Sequence, residues 1–318
     1  MSELADFCAA LSKGDADAAK ALGAKVGDVN TPMEQGTTAA YYARASVEML
    51  QLAHSLGVNM TAACEPDGTT PVYHARASVE MVTALHGMGA DLGAPCSVGG
   101  TTVAFHAKGD ADMLRALVKL GVDINAPVDD AGNTLVYHCI DAGEAALRLL
   151  KELGADFGKP CHHSGETAAY FAAQKPEMLT LLHDMGVDLS LPCDTTGNTP
   201  LWFAADHIPS LRVLHKVGVP FGAACCAAGT TVAFHCREDV ESLKLMHELG
   251  MDLTAKCTPA GHSVVFYAAD SFATLKALHS FGIDLTKPVD GEGNTLREIL
   301  CEKQDILANI TRDFGLTF

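Results

Sequence analysis

Residues 68–99 read GTTPVYHARASVEMVTALHGMGADLGAPCSVG, and the same pattern returns along almost the whole chain. The opening glycine, a polar residue, then Thr or Ser recur at Gly36, Gly68, Gly100, Gly132, Gly165, Gly197, Gly229, Gly261 and Gly293. Every interval is 32 residues except Gly132 to Gly165, which is 33. A fixed period of this length is the sequence mark of a solenoid, in which each unit buries its apolar face only against its neighbours.

Within the quoted stretch, Thr70 stands where a hydroxyl can accept from the free N–H groups of a helix first turn, and Pro71 follows at the position that tolerates proline. The equivalents Thr38, Thr102, Thr134, Thr167, Thr199, Thr231, Ser263 and Thr295 keep the same residue type. A short helix is predicted to run to about Ala75. A second start signal comes at Ser78, with Ser46, Asp110, Asp239 and Ser271 as counterparts and Glu48, Glu80, Asp112 and Glu241 placed to suit the dipole of a first turn. Apolar residues then recur at helical spacing, as in Met81, Val82, Leu85 and Met88. A second glycine column, Gly57, Gly89, Gly121, Gly154, Gly186, Gly218, Gly250 and Gly282, ends this helix as a left-handed cap. Each unit is helix, tight turn, helix, projecting loop.

Twelve of the nineteen aromatic residues fall in two adjacent columns of the first helix. One holds Tyr41, Tyr73, Phe105, Tyr137, Tyr170, Trp202, Phe234 and Phe266; the other adds Tyr42, Phe171, Phe203 and Tyr267. Stripes of this kind are read as packing between successive helix pairs.

These residues resemble an ankyrin repeat. Thr70-Pro71-Val72-Tyr73 and Thr199-Pro200-Leu201-Trp202 partly match its helix-opening Thr-Pro-Leu-His. Gly89-Ala90-Asp91 and Gly154-Ala155-Asp156 match its Gly-Ala-Asp after the second helix, and Gly121-Val122-Asp123, Gly186-Val187-Asp188 and Gly282-Ile283-Asp284 nearly do. An aromatic replaces the family's His in every copy, the usual Gly-His turn is missing, the helix pair is about two residues shorter and the loop about one longer. Other helical-pair solenoids share the coarser pattern. The resemblance implies an all-α, helical-pair repeat solenoid with projecting loops or short β-turns. We expect residues 1–35 to form an N-terminal capping repeat, 36–292 eight tandem repeats, and 293–318 a C-terminal capping helix region.

Three ladders carry reactive residue types. Loop cysteines stand at Cys64, Cys96, Cys161, Cys193, Cys225 and Cys257, with Val128 and Val289 in the same column. The exchange with Val reads as a small buried hydrophobe. His54, His86, His183, His215, His247 and His279 form a second ladder, interrupted by Val118 and Lys151. His74, His106, His138 and His235 form a third, where Tyr or Phe substitutes, and are read as ring packing. Equivalent residues of adjacent repeats lie roughly 8–10 Å apart, whereas zinc ligands each sit at ~2.0–2.3 Å from one ion. A column cannot close around a metal; the best mixed clusters are Cys225-Cys226 with His235-Cys236, and Cys161-His162-His163. We expect neither metal nor cofactor. With no nucleophile elbow, phosphate loop or two-His metal motif, we expect no enzyme activity and no small-molecule substrate.

The net charge is −17, with a pI of about 5.1. That balance argues against nucleic acid and anionic lipid, which need clustered Lys and Arg. No apolar run approaches a membrane span, and the start of the chain lacks a basic leader. Eleven cysteines without a secretory signal point to a reducing compartment, cytosol or nucleus.

The resemblance implies binding to proteins through the loop tips and the concave face built by first helices. The columns that change most between copies should face solvent there: Arg44, Arg76 and Lys108 in the first half, then Asp141, Gln174, Asp206, Glu238 and Asp270. The expected function is a non-catalytic protein-interaction scaffold whose basic stripe takes an acidic or polar segment and whose acidic stripe takes a basic one. The alternative is a metal- or redox-responsive protein using the Cys and His ladders.

Overall fold

The computed structural model describes residues 2–315, so Met1 and residues 316–318 of the expected end caps lie outside the described residues. The chain divides into two compact units. The first takes residues up to Asp156 and Cys161–His163; the second takes Phe157–Pro160 and the residues from Ser164 onward.

In the first unit, helices Ser2–Lys13 and Ala16–Gly23 pack together ahead of four helix pairs. The pairs are Ala39–Tyr42 with Val47–Ser55, Pro71–Ala75 with Val79–Gly87, Val103–His106 with Ala111–Lys119, and Leu135–Cys139 with Glu144–Glu152. The second unit holds five: Ala168–Ala172 with Pro176–Asp184, Pro200–Phe203 with Ile208–Lys216, Val232–His235 with Val240–Glu248, Val264–Ala268 with Phe272–Ser280, and Leu296–Ile299 with Gln304–Phe314. The fold is an all-α, helical-pair repeat solenoid. Among the described residues strand pairing is limited to isolated bridges, such as Pro127 with Thr134 and Lys256 with Ser263.

First helices of four or five residues are too short to hold themselves together in water, so packing must supply their stability. The second helices present Met49, Leu50 and Ala53, or Val82 and Leu85, to the core, and those side chains are buried. Met81 and Met88, from the same expected apolar set, are half-buried.

Both glycine columns adopt positive φ, from 65° to 94° in the anchor column and from 81° to 94° in the column after the second helix. Among the described residues positive φ occurs only at glycine.

The capping pattern divides. Ser46, Ser78, Asp110, Asp239 and Ser271 do cap the second helices: the Met49 N–H donates to Ser46 Oγ at 3.2 Å, and the Met113 N–H to Asp110 Oδ1 at 3.0 Å. The Thr column behaves otherwise. Of its members only Thr102, weakly at 3.4 Å, and Thr295 cap a first helix with their side chains. The hydroxyls of Thr70, Thr134 and Thr199 turn to the carbonyls of Cys96, Cys161 and Cys225 at 3.2–3.4 Å.

Those carbonyls belong to the fixture that joins one repeat to the next. The N–H of Thr38 donates to the Cys64 carbonyl, Thr70 to Cys96, Thr102 to Val128, Thr199 to Cys225, and Ser263 to Val289, all at 2.8–3.0 Å. The Cys or Val N–H in turn donates within its own loop, as Cys64 does to the Thr69 carbonyl at 2.8 Å. Each loop residue is thus a backbone hub with its side chain turned inward. That explains why Cys and Val interchange: both are at most 3 % exposed in this column.

Candidate functional site

The aromatic columns build the surface. In the first unit the rings of Tyr42, Tyr41, His74, Tyr73, His106, Phe105, His138 and Tyr137 follow one another edge to face. Neighbouring centroids are 4.9–5.4 Å apart and planes cross at 71–89°. In the second unit Phe171, Tyr170, Phe203, Trp202, His235, Phe234, Tyr267 and Phe266 form a like chain at 4.6–5.8 Å. Edge-to-face contact places the positive rim of one ring on the negative face of the next, worth about 0.5–1.5 kcal/mol per pair beyond burial. The third histidine ladder is therefore ring packing, as its exchange with Tyr and Phe predicts. The rings are half-buried, which places this packing at the rim of the core with one side open to solvent.

The predicted basic residues lie on this rim. The Arg44 guanidinium sits 3.8 Å from the Tyr41 ring centre, Arg76 3.9 Å from Tyr73, and the Lys108 ammonium 4.6 Å from Phe105. In the second unit Arg237 repeats the arrangement over Phe234 at 4.2 Å. Every cation in this column stands just past the end of a short first helix, three residues after an aromatic, a spacing that the sequence carries but that means nothing until the turn after the helix is known. Arg44 also donates to the Tyr41 hydroxyl at 2.9 Å, and Arg76 to the Tyr73 carbonyl at 2.7 Å. Arg44 and Lys108 are exposed and Arg76 is half-buried. A stacked cation keeps its charge and sheds part of its side-chain freedom before any ligand arrives.

The acidic and polar candidates are placed differently. Asp141 is exposed in the first unit. In the second, the Gln174 amide donates to the Phe203 carbonyl at 3.2 Å and to Asp206 at 3.3 Å. Glu238 pairs with Arg237 at 3.1 Å, and Asp270 pairs with Lys303. All four are exposed, yet each is engaged with its own unit.

Loop tips are tied to the ring chain at a fixed spacing of nine. His74 Nε2 meets Glu65 and His138 Nε2 meets Asp129, both at 2.8 Å; His106 meets Ser97 at 3.1 Å, and His235 meets Cys226 Sγ at 3.8 Å. Burial pushes the His74 ring below the usual histidine range, opposed by Glu65 and aided by Arg44 and Arg76. Burial raises the Asp129 carboxyl, but hydrogen bonds from Asn133 and His138 bring it down overall.

Cys64, Cys193 and Cys225 are pushed up to about 12, and Cys96 and Cys257 to about 11, chiefly by burial, so these loop thiols stay protonated. The mixed clusters also disperse. Cys225 and Cys236 are buried, and Cys236 Sγ lies 2.9 Å from the Ala205 carbonyl, leaving Cys226 and His235 together. His162 lies against Tyr137 and His163 while Cys161 turns inward. Among the described residues no three His, Cys, Asp or Glu side chains converge as metal ligands would. The second histidine ladder is exposed at the helix ends, except for half-buried His279, which stacks on Phe314 at 4.5 Å. Among the described residues no helix is long and apolar enough to cross a membrane.

No protein-family model matches this sequence, and a search of the curated proteins finds no match to it. Its structure is similar to the ankyrin repeat domain of Bcl-3, described as a unique member of the IkappaB protein family. The likeness has a TM-score of 0.57 and 21 % identity, and covers 66 % of this chain and 97 % of that one. The glycine-punctuated helix pairs, the loop-to-loop hydrogen bonds and this likeness agree: the fold is that of an ankyrin-like repeat protein.

Proposed function

We propose that the chain is a non-catalytic protein-interaction scaffold of the cytosol or nucleus, whose first unit docks an acidic segment of a partner protein along Arg44, Arg76 and Lys108. One observation carries the reading: three cations in successive repeats stack on the rings of Tyr41, Tyr73 and Phe105, on a chain whose net charge is −17. A local basic row on an acidic protein selects an acidic ligand and repels basic ones, and half-buried rings beside it add apolar contact at little entropic cost. The same reading gives Asp141 the end of that row, and sets a basic segment against Gln174, Asp206, Glu238 and Asp270. There an incoming cation must displace Arg237 and Lys303, which makes the acidic side the weaker of the two.

The test is titration of a fluorescent peptide rich in Glu and Asp, beside a lysine-rich peptide of the same length, into the full chain at low and physiological salt. The acidic peptide should bind more tightly, lose affinity as salt rises, and lose at least about tenfold with Arg44→Glu, Arg76→Glu and Lys108→Glu combined. Unchanged binding by that triple variant refutes the reading.

A further inference from the structure

The loop tip Cys226–Thr230 departs from its sister tips. At the position after the buried hub, Asp129, Asp194 and Asp290 place carboxylates where backbone N–H groups two or four residues on can reach them. Asp194 accepts from the N–H groups of Thr196 and Asn198 at 3.0 and 2.8 Å, and Asp290 from those of Glu292 and Asn294 at 3.0 and 2.8 Å. Glu65 and Asp129 meet a histidine nine residues on as well. Three repeats thus fill this seat with an anion held by main-chain donors, and two of the tips set an imidazole against one. In the loop that leads into the seventh repeat the seat is filled by Cys226, with His235 in the ring position. The seat that holds a carboxylate at Glu65, Asp129, Asp194 and Asp290, and a hydroxyl at Ser97, here holds sulfur.

We propose that Cys226 is a modification site, a thiol presented at the loop tip beside a base for attack on hydroperoxides. Thr230 Oγ1 lies 2.9 Å from Cys226 Sγ and 2.7 Å from His235 Nε2, so the hydroxyl bridges thiol and imidazole and can pass the thiol proton to the ring. Burial and the nearby Arg237 hold His235 below its ordinary range, so at neutral pH the ring is unprotonated and its nitrogen can serve as the base that takes the thiol proton as sulfur attacks. Burial raises the Cys226 thiol, but Thr230 and the N–H groups of Thr230, Ala228 and Gly229 outweigh it and bring it below the usual thiol range. Eight other cysteines are pushed the opposite way by burial. Half-burial leaves Cys226 open to a small oxidant.

In the reaction the sulfur attacks one oxygen of the hydroperoxide, forming S–O as O–O breaks. Sulfur gives up two electrons and becomes a sulfenic acid. The departing hydroxide takes the proton held by His235 and leaves as water. Thiol and hydrogen peroxide are consumed one to one.

The experiment exposes the native full chain to dilute hydrogen peroxide with dimedone present and maps labelled peptides by mass spectrometry over time. Exposed Cys301 serves as the internal reference. Cys226 should label at least about tenfold faster than Cys301, and His235→Phe, which places at 235 the residue found in that column at Phe171 and Phe203, should slow it by about tenfold with Cys301 unchanged. Equal labelling of Cys226 and Cys301 in the wild-type chain overturns the proposal. So does an unslowed, folded His235→Phe. The wild-type ratio needs no variant, so a folding defect in that variant leaves the test standing.

Discussion

Gly261 and Gly250 isolate what the contact between successive loop tips contributes to stability. Their backbones are nearly alike, with φ of 86° and 82°, and both belong to the second unit. A Cβ at Gly250 would meet nothing within 4 Å, whereas at Gly261 it would lie 2.6 Å from the Gly291 Cα and 3.0 Å from its nitrogen. Alanine at either site incurs left-handed strain of about 1–2 kcal/mol. At Gly261 it must also push the neighbouring tip's backbone aside, and overpacking of this kind costs about 1–3 kcal/mol more. Trp202, the lone tryptophan, sits in the ring chain of the same unit and reports its unfolding by fluorescence. With an m-value of about 2 kcal/mol/M in urea, the extra ~2 kcal/mol lowers the midpoint of Gly261→Ala by about 1 M beyond that of Gly250→Ala. The comparison cancels the backbone term, so equal midpoints would refute the claim that the tip at Gly261 packs tightly against the next tip at Gly291.

The buried hub column should accept Cys193→Val with a loss under about 1.5 kcal/mol, because Val128 and Val289 already occupy it; a larger loss in urea melts would show that the thiol does more than fill space. Stability should also fall in mild acid. His235 has a folded-state pKa below its ordinary 6.5, through burial first and Arg237 second, so its contribution is complete above about pH 6.5 and is lost as pH drops through the lower folded value. The urea midpoint followed by Trp202 should therefore drop between about pH 7.5 and 5.5, and His235→Phe should reduce the drop; equal drops in both proteins refute the assignment.

Much of this architecture is legible because each structural demand falls on one residue and is repeated. Positive φ requires Gly36 and Gly57, so their columns stay glycine; a tight inward seat requires a small apolar group, so Cys64 alternates with Val128. Properties set by two repeats together are harder to read. The hydroxyl of Thr70 looked like a helix cap because caps are local, yet it bonds the Cys96 carbonyl of the following loop. The aromatic columns read as packing between helix pairs, and their rings do touch from repeat to repeat, yet they are half-buried and border solvent.

What sequence reasoning did not join were pairs of columns. An aromatic three places before a cation, as in Tyr41 and Arg44, is a contact across the end of one short helix; a tip residue nine places before a ring, as in Asp129 and His138, crosses from loop to helix. Neither separation means anything until the turn geometry is fixed. Once it is, the substitutions along each pair become informative. Where the ring is Phe203, which has no polar atom, Asp194 bonds Asn198 and Thr196 instead. Where the ring is Tyr267, its hydroxyl bonds His262 at 3.2 Å. The tip is satisfied in every one of these cases by a different partner, so the repeats share a geometry and vary the chemistry placed in it. Candidate functions are therefore best sought where one column changes chemical type while its partner column holds: the cations over Tyr41, Tyr73 and Phe105, and the sulfur at Cys226 facing an imidazole whose counterparts His74 and His138 face carboxylates and His106 a hydroxyl.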